Sequence, residues 1–144
     1  MGQIEQIFIR PRRYAPMQPC CSVMVEAGKG IVTEKRRSKR RSVSFIAIEA
    51  WQAALYELGV DLPIQTRRAN VAVSGVDLAM LIGQQIEIGG AIFKIHGETD
   101  PCRRMDKAYP GLMNALLPDC RGGVFGEVLV GGRLKLGDAI HLLE

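Results

Sequence analysis

The chain has 144 residues, of which 47% are hydrophobic and 24% are charged, and it carries a formal net charge of +4. This length and hydrophobic content suit a single domain, residues 1–144, with a substantial buried core. No stretch approaches the roughly 18 apolar residues that cross a bilayer, and residues 1–13 lack the apolar block of a secretory signal. The four cysteines show no repeated spacing, which argues against a disulfide scaffold. We therefore expect a soluble cytoplasmic protein.

The positive charge is concentrated in one basic loop, residues 34–41, with the sequence Glu-Lys-Arg-Arg-Ser-Lys-Arg-Arg. The loop holds six of the 19 basic residues and one of the 15 acidic residues. Such a block attracts phosphate groups on nucleic acid or on a phosphorylated cofactor, although a solvated surface loop is its more frequent role. The loop contains no aromatic residues, so it does not predict a base-stacking surface.

The first part of the chain predicts strands joined by loops. Residues 4–9 read as a first strand. Residues 18–27 alternate as a second strand, with Val23 and Val25 on one face and Met24 on the other. This alternation is typical of a half-buried strand.

The clearest helix follows a short predicted strand at residues 43–47 and extends over residues 48–58. Apolar residues recur in it at helical spacing, and Gly59 supplies a natural stop. The apolar stripe consists of Ile48, Trp51, Leu55 and Leu58. We interpret this stripe as core packing, with Trp51 lining a cofactor pocket as the alternative.

The rest of the chain alternates short strands with glycine turns, a pattern that favours a barrel or a folded sheet because closure removes exposed edges. Helical character returns after Cys102, where Pro110 and Pro118 interrupt it. The predicted strands centre on residues 71–73, 86–88, 91–95, 124–130, 134–136 and 139–143. We therefore expect a mainly β fold with a few short helices.

The segment Asp100-Pro101-Cys102-Arg103-Arg104-Met105 has the composition of a reactive-thiol site. Asp100 is a good N-cap and Pro101 a good first helical residue, which would place Cys102 in the first turn of a helix. Backbone N–H groups there and the two neighbouring arginines would stabilise a thiolate. The alternative is a packed, unreactive cysteine.

The other cysteines are weaker candidates. Cys20 and Cys21 lie in a strand-like run, where neighbouring side chains point to opposite faces, so they neither pair easily nor chelate one metal. Cys120 follows in a loop and is the obvious candidate partner for Cys102. The sequence has no CxxC pair, and its two histidines lie far apart, so a zinc site is not expected.

Several motifs occur in an order that resembles the MOSC domain, the C-terminal domain of molybdenum cofactor sulfurases, which is also found as small stand-alone proteins. The resemblance is most specific over residues 66–140, and a looser match extends back through residues 48–50 and 27–31. The motifs are Arg67-Arg68-Ala69-Asn70, Gly75-Val76-Asp77-Leu78, Ile82-Gly83, Ile88-Gly89-Gly90-Ala91, Asp100-Pro101-Cys102-Arg103-Arg104-Met105, Arg121-Gly122-Gly123-Val124, Gly131-Gly132 and Gly137-Asp138-Ala139.

The resemblance implies a β-barrel-like domain and a role for Cys102. The matching cysteine is associated with sulfur delivery or with binding the molybdenum of a pterin cofactor, and both uses require a thiolate. Sulfur delivery would hold a persulfide on Cys102, whereas metal binding would use Cys102 as a soft ligand. The chain is too short to contain the pyridoxal phosphate domain of the larger sulfurases, so the sulfur donor would be a partner such as a cysteine desulfurase.

The resemblance also implies residues that hold molybdenum cofactor. Arg67, Arg68 and Asn70 match the Arg-Asn motif of the family and would bind the phosphate and the polar pterin edge. Arg103, Arg104 and Arg121 are further candidate contacts. The alternatives are structural: a surface strand start for the first two arginines, a turn bond for the asparagine, and a glycine turn beside Arg121.

One departure from the family pattern concerns the first glycine motif. Family members commonly follow it with Gly-Asp and a basic residue, whereas this chain has Ile31-Val32-Thr33-Glu34-Lys35. Glu34 would supply the charge of the missing aspartate from a different position. Any function that depends on that Gly-Asp is therefore in question.

Two functions compete. In the first, a small MOSC protein binds molybdenum cofactor or carries its sulfur through Cys102, with reduction of N-hydroxylated compounds as a variant. That variant requires an electron-donor protein, because the chain has no flavin or nicotinamide motif. In the second, a non-catalytic module uses the basic loop to bind nucleic acid or an acidic protein, and Cys102 is buried.

Overall fold

The computed structural model describes residues 2–34 and 41–144, which form a mainly β domain with three short α-helices. The strands are β1 (Gln3–Ile9), β2 (Gln18–Cys20), β3 (Ser22–Glu26), β4 (Gly30–Ile31), β5 (Val43–Ala47), β6 (Val71–Ser74), β7 (Gln85–Ile88), β8 (Ala91–Glu98), β9 (Val124–Val130), β10 (Gly132–Lys135) and β11 (Ile140–Leu143). The helices are α1 (Ile48–Leu58), α2 (Arg103–Ala108) and α3 (Leu112–Leu116). Residues 35–40 of the basic loop lie outside the described residues.

The strands form two sheets. The larger has the order β11-β7-β8-β9-β5-β6-β1-β2, and the smaller has the order β10-β3-β4. Strands β5 and β6 pair in parallel, with Phe45 opposite Val71. Two parallel neighbours need a crossover connection, and α1 lies within it.

The large sheet is folded but is not closed into a barrel. Strand β1 pairs with β6 along one edge, and along the other edge β2 pairs with Ile7, Phe8 and Ile9. The segment before β11 approaches the start of that second edge: Gln3 and Ala139 form an isolated bridge, and the Ile140 amide donates to the Gly2 carbonyl at 2.9 Å. The expected fold class, mainly β with a few short helices, is confirmed. The sheet differs from the expected barrel-like arrangement in being open rather than closed.

The predicted second strand is wrong as a single element. The chain bends at Cys21, so β2 pairs with β1 in the large sheet and β3 pairs with β10 in the small one. Within β3 the predicted alternation is present, because Val23 and Val25 are buried and Met24 is exposed. Local alternation thus identified the faces but not the corner between the two sheets.

The predicted helix at residues 48–58 is confirmed at both ends. Trp51 and Leu55 are buried, and Gly59 ends the helix in the left-handed conformation. The Trp51 indole N–H donates to the Leu62 carbonyl at 3.1 Å, so its polar atom is satisfied within the core. Helices α1 and α3 pack against one face of the large sheet, through a second core cluster that includes Trp51 and Leu112. The stripe is therefore packing.

None of the helices in residues 2–34 and 41–144 is long and apolar enough to span a membrane.

Candidate functional site

One cavity of about 370 Å³ gathers most of the predicted site residues, and we call it the arginine cleft. Its charged lining, among the described residues, consists of five arginines and one glutamate. The lining residues are Arg10, Met17, Glu34, Arg41, Ser44, Arg67, Arg68, Asn70, Thr99, Cys102, Arg104 and Met105. The cleft is thus strongly positive and has a thiol in its wall.

Two neighbouring arginines enter the cleft because of a local backbone reversal. Residues 64–67 form a single 3-10 turn, and Arg68 ends it with a φ of 66°, in the left-handed region. The side chains then diverge: Arg67 is directed to the loop after β8, whereas Arg68 donates to the Ala15 carbonyl at 2.7 Å. One turn therefore fixes two cationic groups of the cleft.

The Arg67 guanidinium is a buried strut. Its Nε donates to the Gly122 carbonyl at 2.9 Å, and its Nη2 donates to the Thr99 carbonyl at 2.8 Å. Burial lowers the pKa of Arg67, while the charges of Cys102 and Asp100 act in the opposite direction. An arginine remains protonated at neutral pH, so this strut also contributes positive charge to the cleft.

The glycines next to Arg121 allow this close approach. A Cβ on Gly122 would lie 2.8 Å from the Thr99 carbonyl oxygen and 3.3 Å from Nη2 of Arg67. Gly123 has a φ of 94°, and a Cβ there would collide with the Phe45 carbonyl oxygen. The Gly122–Gly123 pair therefore lets three backbone segments meet behind the cleft.

Asn70 is buried and holds two chain segments together. Its Oδ1 accepts from the Ser44 amide at 3.1 Å, and its Nδ2 donates to the Phe8 carbonyl at 3.3 Å and to Glu34 Oε2 at 3.1 Å. These bonds use both amide protons. Asn70 thus positions the Glu34 carboxylate, rather than offering its amide N–H groups to a ligand.

Glu34 is the acid in the cleft. Its side chain is 4% exposed, and Oε2 accepts from the Arg10 amide at 2.6 Å as well as from Asn70. The sequence departs from the family pattern before this residue, yet the structure brings a carboxylate to the site from Glu34. Glu34, which the sequence suggested only by its charge as a replacement for the missing aspartate, is therefore held in the cleft by hydrogen bonds from Arg10 and Asn70.

Cys102 is exposed and lies in the cleft wall, but it is not in the first turn of a helix. It is the N-cap of α2, with φ −129° and ψ 177°, and its carbonyl accepts from the Met105 amide at 2.9 Å. The predicted cap at Asp100 is wrong by two residues. The residue before a proline favours an extended conformation, and here the extended segment continues to Cys102.

The remaining predicted arginines occupy different places. Arg104 lines the cleft, and its guanidinium carbon lies 4.9 Å from the centroid of the Tyr14 ring. Arg103 is exposed and is not part of the lining. Arg121 is directed to helix α1, where it donates to Glu57 Oε2 at 2.7 Å. The structure thus brings together Cys102, Arg67, Arg68, Asn70 and Arg104 and separates the other two.

Four residues of the cleft were not identified from the sequence, namely Arg10, Met17, Ser44 and Thr99, and Arg41 was named only as part of the basic loop. The Arg41 guanidinium carbon lies 4.4 Å from the centroid of the Phe125 ring, a cation–π distance. Arg41 is the last residue of the basic loop, so the charge of that loop was a signal for it. Thr99 gave no signal.

The arginines crowd one another. Burial lowers the pKa of Arg68, and the positive charges of Arg104 and Arg10 lower it further, whereas Glu34 acts in the opposite direction. Like charges held this close repel, and a bound anion would relieve the repulsion. Among the described residues of the lining, the single carboxylate leaves a positive excess.

Thr99 Oγ1 is the buried side-chain oxygen or nitrogen atom that lacks a hydrogen-bond partner among the described residues. Thr99 lines the cleft, and its carbonyl accepts from Arg67. Leaving a buried hydroxyl unpaired costs free energy, so such a group is explained best by a ligand or a water that completes it.

The other cysteines lie outside the arginine cleft. All four are free, and Cys120 lines a separate cavity together with Glu49 and Asp77, so the suggested pairing of Cys120 with Cys102 is not formed. Burial raises the pKa of Cys120 and of Cys20. In the described part of the chain, no three His, Cys, Asp or Glu side chains are grouped to hold a metal ion.

The fold is shared with several solved structures. The YUAD protein from Bacillus subtilis matches with a TM-score of 0.84 and 23% identity, covering 100% of this chain and 98% of that one. YiiM from Geobacillus stearothermophilus matches with a TM-score of 0.81 and 17% identity, covering 100% and 76%. YiiM from Escherichia coli matches with a TM-score of 0.73 and 11% identity, covering 99% and 68%.

A search of curated proteins gave no significant match. At these identities the solved structures show the fold alone. The sequence pattern of the MOSC domain, however, matches residues 37–141, which include most of the cleft and all of the segment around Cys102. The chain therefore belongs to the MOSC domain family, which is associated with molybdenum cofactor.

Proposed function

We propose that the arginine cleft binds molybdenum cofactor and that Cys102 presents its thiolate to the metal. The observation that carries this proposal is the placement of an exposed cysteine in the wall of a cavity with five arginines. Molybdenum cofactor is an anion with a phosphate at one end and a thiol-bound metal at the other. The cleft supplies positive charge and a soft ligand side by side.

The charged lining fits the phosphate end of such a ligand. The positive charges of Arg10, Arg68 and Arg104 repel one another, so a bound phosphate would be attracted to them. The planar guanidinium group of arginine also matches the geometry of phosphate oxygens. Glu34 is held by Asn70 and by the Arg10 amide, so it is a fixed acceptor for N–H groups of a pterin ring. The cleft thus offers both kinds of contact that this cofactor requires.

The metal end fits Cys102. No three potential ligands are grouped in the described residues, so a bare metal ion has no protein cage there. Molybdenum in the cofactor is already chelated by the pterin, so the protein does not need to supply a three-ligand cage. In this proposal it supplies one further ligand, the Cys102 thiolate. When bound, the cofactor supplies two-electron redox chemistry or accepts sulfur; the residues of this chain orient it and donate one ligand.

A sulfur carrier is the second candidate, favoured by the exposure of Cys102. The Cys102 thiolate would attack the outer sulfur of a donor persulfide. The donor S–S bond breaks, a new S–S bond forms on Cys102, and the donor leaves as a thiolate without net oxidation or reduction. Reduction of N-hydroxylated compounds, which needs an electron-donor protein, stays a prediction.

That the basic loop is a docking surface for nucleic acid or an acidic protein stays a prediction. Its residues 35–40 lie outside the described residues, and its two ends, Glu34 and Arg41, line the arginine cleft. Among the described residues, the observations therefore favour a role for the ends of the loop in the cleft.

The test is to purify the protein from a host that produces molybdenum cofactor and to measure bound molybdenum and pterin, beside Cys102→Ser and Arg68→Gln variants. We expect metal and pterin in the wild type, pterin with less metal in Cys102→Ser, and loss of both in Arg68→Gln. A persulfide on Cys102 without bound pterin would select the sulfur-carrier function. Wild-type protein with neither cargo would contradict both.

A further inference from the structure

We propose that the arginine cleft also accepts a small dianionic sulfane-sulfur donor of the thiosulfate class, which transfers its outer sulfur directly to Cys102. The inference deepens the sulfur-carrier candidate and rests on it, since both need a persulfide on Cys102. It adds the chemical class of the donor, which would then be a small molecule rather than a protein.

The step is balanced with the groups present. The Cys102 thiolate attacks the outer sulfur of thiosulfate, the S–S bond of thiosulfate breaks, and a persulfide forms on Cys102. Sulfite leaves with the bonding electron pair, so the total charge is unchanged and no external oxidant or reductant is required. Any change in the oxidation state of one sulfur atom is balanced by another among the three that react: the Cys102 sulfur and the two sulfur atoms of thiosulfate.

The charge of the cleft favours this class of donor over a neutral persulfide. A dianion is attracted by the excess of arginines, and the attraction is strongest where the positive groups repel one another, at Arg10, Arg68 and Arg104. The same groups would stabilise the negative charge that grows on the departing sulfite. A cavity of about 370 Å³ holds a small oxyanion with ease.

An independent observation is the unpaired hydroxyl of Thr99. This oxygen is buried, the residue lines the same cavity as Cys102, and it lies three positions before the cysteine in the chain. A hydroxyl donates one hydrogen bond, which an oxyanion oxygen accepts. The site thus combines a nucleophile with several cations, and a hydroxyl buried in its wall lacks a partner among the described residues.

The negative charges near the site do not cancel this attraction. Glu34 is engaged by the Asn70 amide and the Arg10 backbone N–H. Asp100 acts on Arg67, which is the most buried of the arginines that line the cleft among the described residues. Arg68 and Arg104 remain the cations through which a small anion would approach the thiol.

The experiment incubates reduced, cofactor-free protein with thiosulfate and follows the gain of one sulfur atom by intact-mass measurement together with the release of sulfite. We expect one persulfide on Cys102, an equal amount of sulfite, and no loading of Cys102→Ser. The loading rate should fall about tenfold in Arg104→Gln at low salt. Thr99→Val should lower it by about tenfold as well.

Two controls separate chemistry from folding. Lys107→Gln removes an exposed charge from the same helix as Arg104 and should load at the wild-type rate. Iodoacetamide, which is neutral, should still alkylate Cys102 in Arg104→Gln and Thr99→Val, at a rate that falls much less than the rate of thiosulfate loading. A variant that retains this alkylation and its circular dichroism spectrum is folded and has an accessible thiol.

The outcomes distinguish the inference from the function on which it rests. Loading by glutathione persulfide without loading by thiosulfate would overturn the donor class and leave sulfur carriage in place. Loading by neither donor would overturn sulfur carriage itself. Thiosulfate loading that is equal in Arg104→Gln, Lys107→Gln and wild type at every salt concentration would overturn the role of the cleft.

Discussion

The side-chain amide of Asn70 donates a hydrogen bond of 3.1 Å to the carboxylate of Glu34, 36 residues earlier in the chain. Both side chains are buried, and both line the arginine cleft. This bond joins the turn that follows β4 to the residue just before β6. It determines where the single acid of the described lining lies relative to the arginines.

Replacement of this asparagine should cost stability. Asn70→Ala would remove the side-chain partner of the Ser44 amide and one hydrogen bond to the buried Glu34 carboxylate. We expect the free energy of unfolding to fall by about 2–3 kcal/mol, measured by urea denaturation. Asn114→Ala, at an exposed helix position, should change it by less than about 0.5 kcal/mol. Equal effects of the two variants would show that the Asn70 network is not stabilising.

The shape of Arg67 should matter more than its charge. Arg67→Lys keeps a cation but cannot span the carbonyls of Gly122 and Thr99 from one planar group. We expect a loss of about 1–3 kcal/mol in the free energy of unfolding. Proteolysis of the native state should also accelerate in the loop that carries Cys102. A lysine variant with wild-type stability would contradict the strut.

Two half-buried thiols predict a decrease in stability at alkaline pH. Burial raises the pKa of Cys20 and Cys120 above the ordinary value of 9.0. Below that value both states keep the proton, and the contribution to stability is complete. As pH rises through the raised pKa of the folded state, the unfolded state has already ionised and the contribution is lost.

The measurement is urea unfolding at about pH 8 and about pH 10.5, for wild type and for the double variant Cys20→Ser, Cys120→Ser. The wild type should lose more stability between the two conditions than the double variant does. Lysine and tyrosine titration is common to both proteins and cancels in the comparison. Identical losses would show that these thiols are not shielded in the folded state.

The ring of Phe125 should affect anion binding through Arg41. The guanidinium stacks on this ring, and a cation–π contact at an exposed site contributes about 0.5–1 kcal/mol. We expect Phe125→Leu to weaken the affinity for pyrophosphate, measured by calorimetry, by about threefold. Arg41→Gln should weaken it more, and the double variant should match Arg41→Gln alone. Additive losses would show that Phe125 acts independently of Arg41.

The helix at residues 48–58 could be predicted from sequence because its signals are local. The spacing of the apolar stripe and the stop at Gly59 depend on the eleven residues of the helix and on one after it. The corner at Cys21 has no such signal, since it exists only because β10 returns from the far end of the chain to pair with β3. Strand pairing over that separation is a tertiary effect.

The candidate site could be predicted only in part, because some of its residues carry local signals and others reach it through long-range strand pairing. Arg67, Arg68 and Cys102 stand in motifs that resemble a family, so they could be named. Arg10 follows β1 and enters the cleft because β1 pairs with β6, which no local pattern states. The sequence could not distinguish the roles of Arg103 and Arg104. Which of them lines the cleft depends on where α2 starts, and its start at Arg103 places Arg104 in the lining.

Redesign of this protein for bulkier guests is constrained by Gly122 and Gly123. Any side chain there would push Thr99 or Phe45 backward and separate the strut from the loop that it fastens. Mutational libraries that aim to widen the cleft should therefore leave this pair fixed. Met17 and Ser44 also line the cleft but are poor positions to vary, because Met17 packs in the second core cluster and Ser44 hydrogen-bonds Asn70.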